Sequence, residues 1–104
     1  MNDVKQIVGT EYKVILHIEP VDGVHMEEME FECMFYTRIQ EPLFVKKSEM
    51  IRVDADSYIA LVNTEGMSAG TLRNRMTVDI PDRDFPDDYR REIMDMVTDI
   101  KISK

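Results

Sequence analysis

The sequence predicts an all-β protein that folds as one antiparallel β-sandwich of about seven strands. Apolar and polar residues alternate along several segments, and a side-chain period of two is typical of strands that bury one face. Short stretches rich in Pro, Gly, Asp and Asn separate these segments, as turns do. The length of 104 residues fits a single domain, 1–104, in which residues 1–3 and 103–104 are expected to be frayed.

The alternation places strands along most of the chain. In chain order they are predicted at residues 4–8 (an edge strand), 12–18, 31–35, 43–47, 50–53, 58–62 and 72–80. Ile15 is an exception, because it occupies a position where the alternation of residues 12–18 calls for a polar side chain. The predicted core consists of Val14, Leu16, Ile18, Phe31, Cys33, Phe35, Ile59, Leu61, Leu72, Met76 and Val78.

Two features of this core stay open. On the strand at 58–62 the set Tyr58, Ala60 and Val62 competes for the inward face, because both sets are apolar. The chain has nine methionines, and Met26, Met29 and Met67 lie in or beside loops, so some of them are expected to be exposed. For Met67 we favour a position that plugs one end of the sandwich.

Composition predicts the connections. Residues 54–57 (Asp-Ala-Asp-Ser) indicate a tight hairpin between two short strands. The longer stretch at 63–70 is expected to cross from one sheet to the other. Residues 81–88, with two prolines and four aspartates, predict a surface loop.

The segment 89–102 fits two periodicities. Its apolar residues have helical spacing in one set and alternate in another, so that periodicity alone does not decide between helix and strand. A strand would complete the sandwich and cover an open edge, whereas a helix would need a separate docking surface. We therefore favour a strand.

Candidate catalytic residues are few. Cys33 with His17 or His25 would supply a thiol and an imidazole. However, Cys33 lies between Phe31 and Phe35 on the predicted core face, where burial raises a thiol pKa and makes the group inert. The sequence shows no catalytic motif, no glycine-rich phosphate loop and no set of zinc ligands. We predict that the protein is not an enzyme and uses no cofactor, with His17 and His25 as surface residues.

Calcium is the metal that the acidic loops come nearest to binding. The candidate ligands in the loop 81–88 are Asp82, Asp84, Asp87 and Asp88. Neither this loop nor the acidic turn at 54–57 continues as an EF-hand, since no glycine stands at the sixth position. Solvated turn aspartates are the favoured interpretation, and no metal site is assigned.

The charge balance limits the partners. A net charge of −8 argues against nucleic acid, whose binding depends on Lys and Arg neutralising phosphates. No stretch approaches the roughly 18 apolar residues of a membrane span. A protein partner is therefore expected, and a run of glutamates is a candidate partner surface or a protected strand edge. These residues, called the acidic cluster below, are Glu27, Glu28, Glu30 and Glu32.

The single cysteine and the first residues bear on the compartment. One cysteine excludes an intrachain disulfide, which favours a reducing cytoplasm or an assembled particle. The segment at residues 1–6 has no basic region of the kind that opens a signal peptide. Synthesis in the cytoplasm without processing is expected.

Six segments carry a resemblance to a known family. They are 9–14 (Gly-Thr-Glu-Tyr-Lys-Val), 31–36 (Phe-Glu-Cys-Met-Phe-Tyr), 47–51, 56–62, 70–72 and 80–87. Together they resemble the immunoglobulin-like N-terminal domain of phage baseplate upper proteins, a family found in prophages and conjugative elements of gut bacteria. The resemblance spans about residues 9–102, implies an immunoglobulin-like sandwich and favours a strand at the end. It carries over no catalytic or binding residue.

The resemblance and the lack of catalytic motifs imply a non-enzymatic structural or interaction module. It would be a phage tail or baseplate-type component, or part of a mobile-element apparatus, that acts by protein–protein packing. Its partners would be other virion or tail proteins, and it would enter the phage particle after synthesis. Two alternatives stay open: a glycan- or calcium-binding sandwich that uses its acidic loops, and a small cytoplasmic regulator or inhibitor carried by a mobile element.

Overall fold

Seven strands form between residues 11 and 103, the part of the chain that the computed structural model describes. They are β1 (Glu11–His17), β2 (Glu30–Tyr36), β3 (Leu43–Lys46), β4 (Ile51–Asp54), β5 (Ser57–Asn63), β6 (Gly70–Pro81) and β7 (Tyr89–Ile102). Single turns of 3-10 helix lie at Met26–Glu28 and Lys47–Glu49. The six strands predicted between residues 12 and 80 are confirmed, and each begins and ends within two residues of its predicted bounds. The predicted edge strand at 4–8 and the expected fraying of residues 1–3 lie outside the described residues.

The strands form two antiparallel sheets that pack as a sandwich. One sheet has the order β1-β5-β4 and the other the order β3-β2-β6-β7. The predicted hairpin at 54–57 joins β4 to β5, and the Asp56 N–H donates a hydrogen bond of 2.9 Å to the Asp54 carboxylate in this turn. Residues 63–70 lead from β5 in one sheet to β6 in the other, which confirms the predicted crossing.

The segment with two periodicities is a strand. β7 pairs with β6 from Tyr89 opposite Pro81 to Ile102 opposite Gly70. The exposed loop at 81–88 joins the two strands, as predicted. The strand form prevails because β6 offers β7 a long ladder of backbone hydrogen bonds, which a helix could not use.

The core lies between the two sheets. Nine of the eleven predicted core residues are buried: Val14, Leu16, Ile18, Phe31, Cys33, Phe35, Leu72, Met76 and Val78. Cys33 and Phe35, on β2, have no exposed surface. β2 lies between β3 and β6, so both of its edges are paired while one of its faces is covered by the other sheet.

The prediction for β5 was wrong. Ile59 and Leu61 face outward, and the competing set of Tyr58, Ala60 and Val62 is buried. Register with β1 decides this, because Ala60 pairs with the buried Val14 and paired residues share a face. The Tyr58 ring then packs edge-on against Phe31, with ring centroids 5.1 Å apart.

The expectation that some loop methionines are exposed was also wrong. Met26, Met29 and Met67 are all buried, and Met67 packs in the core cluster. The short helix at Met26–Glu28 is held against the β4–β5 turn by backbone contacts. The Met26 N–H donates to the Asp56 carboxylate at 3.0 Å and the Glu27 N–H to the Ala55 carbonyl at 2.9 Å. The Met26 and Met29 side chains belong to the buried core cluster.

Candidate interaction surfaces

The thiol is enclosed in the core. Cys33 lies on β2 and has no exposed surface. Burial raises the pKa of the Cys33 thiol to about 12, so the group stays protonated near neutral pH. Since the thiolate is the nucleophilic form, Cys33 is chemically inert in the folded protein, as the sequence predicts.

Both histidines have carboxylate partners. Nε2 of His17 contacts the Glu19 carboxylate, and its Nδ1 lies 3.1 Å from the Ser57 hydroxyl. Nδ1 of His25 lies 3.1 Å from the Asp56 carboxylate. Hydrogen bonds to these carboxylates raise the pKa of each imidazole above its usual value. The His25–Asp56 contact joins the short helix at Met26–Glu28 to the β4–β5 hairpin, so it helps to hold these two elements together.

The acidic cluster is partly neutralised by bases that the sequence does not place near it. Glu27 forms an ion pair of 2.7 Å with Arg52 on β4. Nζ of Lys47 lies 4.0 Å from Glu30 and donates hydrogen bonds of 2.7 Å to the carbonyl oxygens of Glu27 and Met29. Arg52 and Lys47 therefore reduce the field that the four glutamates present to a partner.

Two other members of the acidic cluster have local contacts. Glu28 accepts a hydrogen bond of 2.9 Å from the His25 backbone N–H, which caps the short helix. Glu32 is half-buried on β2 and lies opposite Lys46 of β3. Glu28 and Glu32 thus have neighbours within the same chain. Together with Arg52, Lys46 and Lys47, the acidic cluster forms a surface of mixed charge rather than a free anionic patch.

The candidate calcium ligands share one loop without forming a common site. Asp82 accepts a hydrogen bond of 3.0 Å from the Asp84 N–H and lies 3.5 Å from Nη1 of Arg90. The loop closes through the Asp82 N–H and the Asp88 carbonyl, 2.9 Å apart. Within residues 11–103, no three His, Cys, Asp or Glu side chains are grouped so that they could hold a metal ion.

An aliphatic surface covers the outer face of the three-stranded sheet. Ile15 of β1 lies opposite Ile59 of β5, which in turn lies opposite Ile51 of β4, so three isoleucines form a row across the sheet. Ile15 is 71% exposed and Ile51 50% exposed, and the outward-facing Leu61 is exposed beside them. We call Ile15, Ile51, Ile59 and Leu61 the aliphatic face.

Sequence reasoning missed the aliphatic face, although one signal was present. Ile15 breaks the alternation of its strand, because it is apolar at a position that faces outward. An apolar residue at such a position is what a docking surface would require. Ile59 and Leu61 gave no such signal, because their strand is apolar on both faces and they were assigned to the core. Only the register with β1 shows that the three residues share one surface.

A second exposed apolar region lies on β7. Ile93 and Val97 are each 61% exposed, and Tyr89 and Met96 are also exposed. β7 is the last strand of its sheet, and no other strand of the described region pairs with its outer edge. We call residues 89–97 the β7 edge.

A groove of about 320 Å³ separates the edge strands β1 and β7. Val14 and Leu16 line it on one side, and Met96 and Ile100 on the other. The amide of Asn74 forms part of its lining; it is buried, it interacts weakly with the Cys33 thiol, and it has no other hydrogen-bond partner among the residues described.

Comparison of the chain with protein-family models, curated proteins and solved structures returned no match. Within residues 11–103, no helix has the length and apolar character needed to cross a membrane.

Proposed function

We propose that this protein is a non-enzymatic interaction module that acts by protein–protein packing through its aliphatic face. The observation that carries the proposal is the row of Ile15, Ile59 and Ile51 in register across three strands. Exposed apolar side chains that lie together, unlike scattered ones, mark surfaces that bind proteins. The rigid sheet beneath fixes these side chains in place, so that binding costs little conformational entropy.

The chemistry of the thiol supports a non-enzymatic role. The chain has one cysteine, and burial keeps its thiol protonated. Both imidazoles have a carboxylate partner, and the Asp56 carboxylate also accepts a hydrogen bond from the Met26 N–H. A module that binds by shape needs none of these groups to be reactive, and it benefits from a well-packed core.

In more specific terms, we propose a component of a phage tail or baseplate, or of a mobile-element apparatus. The support for this is the resemblance of residues 9–102 to the immunoglobulin-like N-terminal domain of phage baseplate upper proteins. The partner of the aliphatic face would then be a neighbouring protein of the virion.

Mass spectrometry of purified particles from an induced lysogen that carries the gene tests both levels of the proposal. The wild-type protein should be found in the particles. The variant Ile15→Glu should be depleted about tenfold or more relative to the tail proteins, because a charge within an apolar contact removes a hot spot. Phe44→Glu is the matched control, since Phe44 is 55% exposed but lies on the other sheet.

The outcomes separate the two levels. Absence of the wild-type protein from the particles would overturn the phage assignment, and co-purification with a host protein would then favour a regulator. Incorporation of Ile15→Glu at the wild-type level would overturn the aliphatic face as the docking surface. Equal amounts of both variants in the cell extract show that depletion is not caused by misfolding.

A further inference from the structure

The β7 edge has features that suit it to pair with another strand. A strand at the end of a sheet presents unpaired N–H and C=O groups, and proteins usually cover or block such edges. In β7 the regular ladder with β6 runs from Tyr89 to Val97, and its register shifts beyond Val97. There the Thr98 hydroxyl donates to the Leu72 carbonyl at 2.8 Å and accepts from the Ile100 N–H at 3.1 Å. This bulge leaves residues 89–97 as the regular part of the edge.

The outward-facing side chains of this regular part follow a symmetric order. They are Tyr89, Arg91, Ile93, Asp95 and Val97. Apolar residues thus occupy the centre and both ends, while the two intermediate positions carry opposite charges. An antiparallel copy of the same segment, centred on Ile93, would meet it with complementary side chains throughout.

We propose that two copies of this chain pair along β7, antiparallel and in the register centred on Ile93, to form one continuous eight-stranded sheet. Arg91 of each copy then lies opposite Asp95 of the other, and Tyr89 lies opposite Val97 of the other. Opposite charges and apolar pairs that face each other directly are the pairings that stabilise antiparallel strands. The two-fold axis passes between the two Ile93 side chains.

The inward-facing side chains of β7 are also compatible with this register. Arg90 lies opposite Met96 of the second copy, and Glu92 lies opposite Met94. No pair in this register brings like charges together.

Neighbouring registers are worse. An axis at Arg91, Glu92 or Asp95 places that charged residue opposite itself, and like charges directly opposite are destabilising. An axis at Met94 places the apolar Ile93 opposite Asp95. The order of side chains along β7 therefore selects one register for self-pairing, as a specific interface requires.

Ion pairs within each chain already hold the charged side chains in position. Arg91 makes hydrogen bonds of 2.8 and 3.1 Å to Asp79 of β6, and Arg75 of β6 makes one of 2.7 Å to Asp95. In the dimer these pairs join into a row of alternating charge across four strands: Asp79, Arg91, Asp95 of the second copy and Arg75 of the second copy. Side chains that are already ordered lose less entropy on association.

Sedimentation of the full chain over a range of concentrations tests the dimer. The wild type should form dimers, and Ile93→Lys should raise their dissociation constant about tenfold or more, because two lysines would face each other at the axis. The matched control is Phe44→Lys, which adds the same charge at an exposed position on β3, the strand at the opposite edge of the same sheet, and should dimerise as the wild type does. A wild type that stays monomeric overturns the proposal.

Oxidative cross-linking tests the register. In Ile93→Cys the two new thiols face each other with Cα atoms about 4.5–5.5 Å apart, within the range of a disulfide. In Val97→Cys, an equally exposed position on the same face, they would lie eight residues apart along the strands, about 26 Å. Ile93→Cys should therefore form a disulfide-linked dimer rapidly and Val97→Cys should not, while the buried Cys33 does not compete. Equal cross-linking of both variants would overturn the register, and dissociation by Phe44→Lys in place of Ile93→Lys would place the contact on β3 instead of β7.

Discussion

Replacing Phe35 by alanine should destabilise the protein by about 3–5 kcal/mol, the range measured for buried phenylalanines. Phe35 has no exposed surface and lies on β2, between Leu43 of β3 and Asn74 of β6 in the sheet register. Because paired strands flank it on both sides, the backbone has little freedom to collapse into the space left by the ring. The loss should therefore combine the transfer free energy of the ring with the cost of an unfilled cavity.

Phe44→Ala is the matched control for this substitution. Phe44 lies on the neighbouring strand β3 but faces outward and is more than half exposed, so its truncation should cost about 0.5 kcal/mol or less. Urea denaturation followed by far-ultraviolet circular dichroism measures both losses, with the slope of the transition as a check that unfolding stays two-state. Equal midpoint shifts for the two variants, or a midpoint for Phe35→Ala close to that of the wild type, would refute the assignment of Phe35 to the core.

Two further predictions concern polar groups. The Asp56 carboxylate raises the pKa of His25. The stabilisation that the His25–Asp56 contact provides is therefore full below the ordinary histidine pKa of about 6.5, and it is lost as the pH rises through the raised pKa. The difference in melting temperature between the wild type and His25→Gln should accordingly narrow as the pH rises above about 6.5, and a constant difference would refute the interaction. Asn74→Leu should raise the free energy of unfolding by about 1 kcal/mol, because it removes a buried amide that interacts only weakly with the Cys33 thiol and has no other partner among the described residues. A lower midpoint in urea would show instead that the amide is satisfied.

The elements of the fold were predictable where alternation was strict. On β2 the apolar residues Phe31, Cys33 and Phe35 alternate with less buried ones, so that one face could be assigned to the core from the sequence. The alternation of β6 gave the same result. The periodicity of β7 fits both a helix and a strand. A strand was predicted there because it would cover an open edge of the sheet.

The candidate surfaces were less predictable. The acidic cluster was visible in the sequence as a run of like charges. Its basic neighbours were not, because Arg52 of β4 and Lys47 of the second short helix are 20 or more residues away from Glu27 along the chain. The aliphatic face was missed because cross-strand register, and not composition, brings its residues together. The β7 edge depended on knowing which strand ends the sheet.

By itself, the sequence determined that this chain forms antiparallel strands, where most of them begin and end, and that Cys33 is enclosed between aromatic residues. These properties follow from local periodicity and turn chemistry, which act over a few residues. Only the tertiary structure decided which face of β5 turns inward, that Met26 and Met29 are buried, and which strands end the two sheets of the described region. Those outcomes depend on register and strand order, because a strand that is apolar on both faces has no preferred orientation until a neighbouring strand pairs with it.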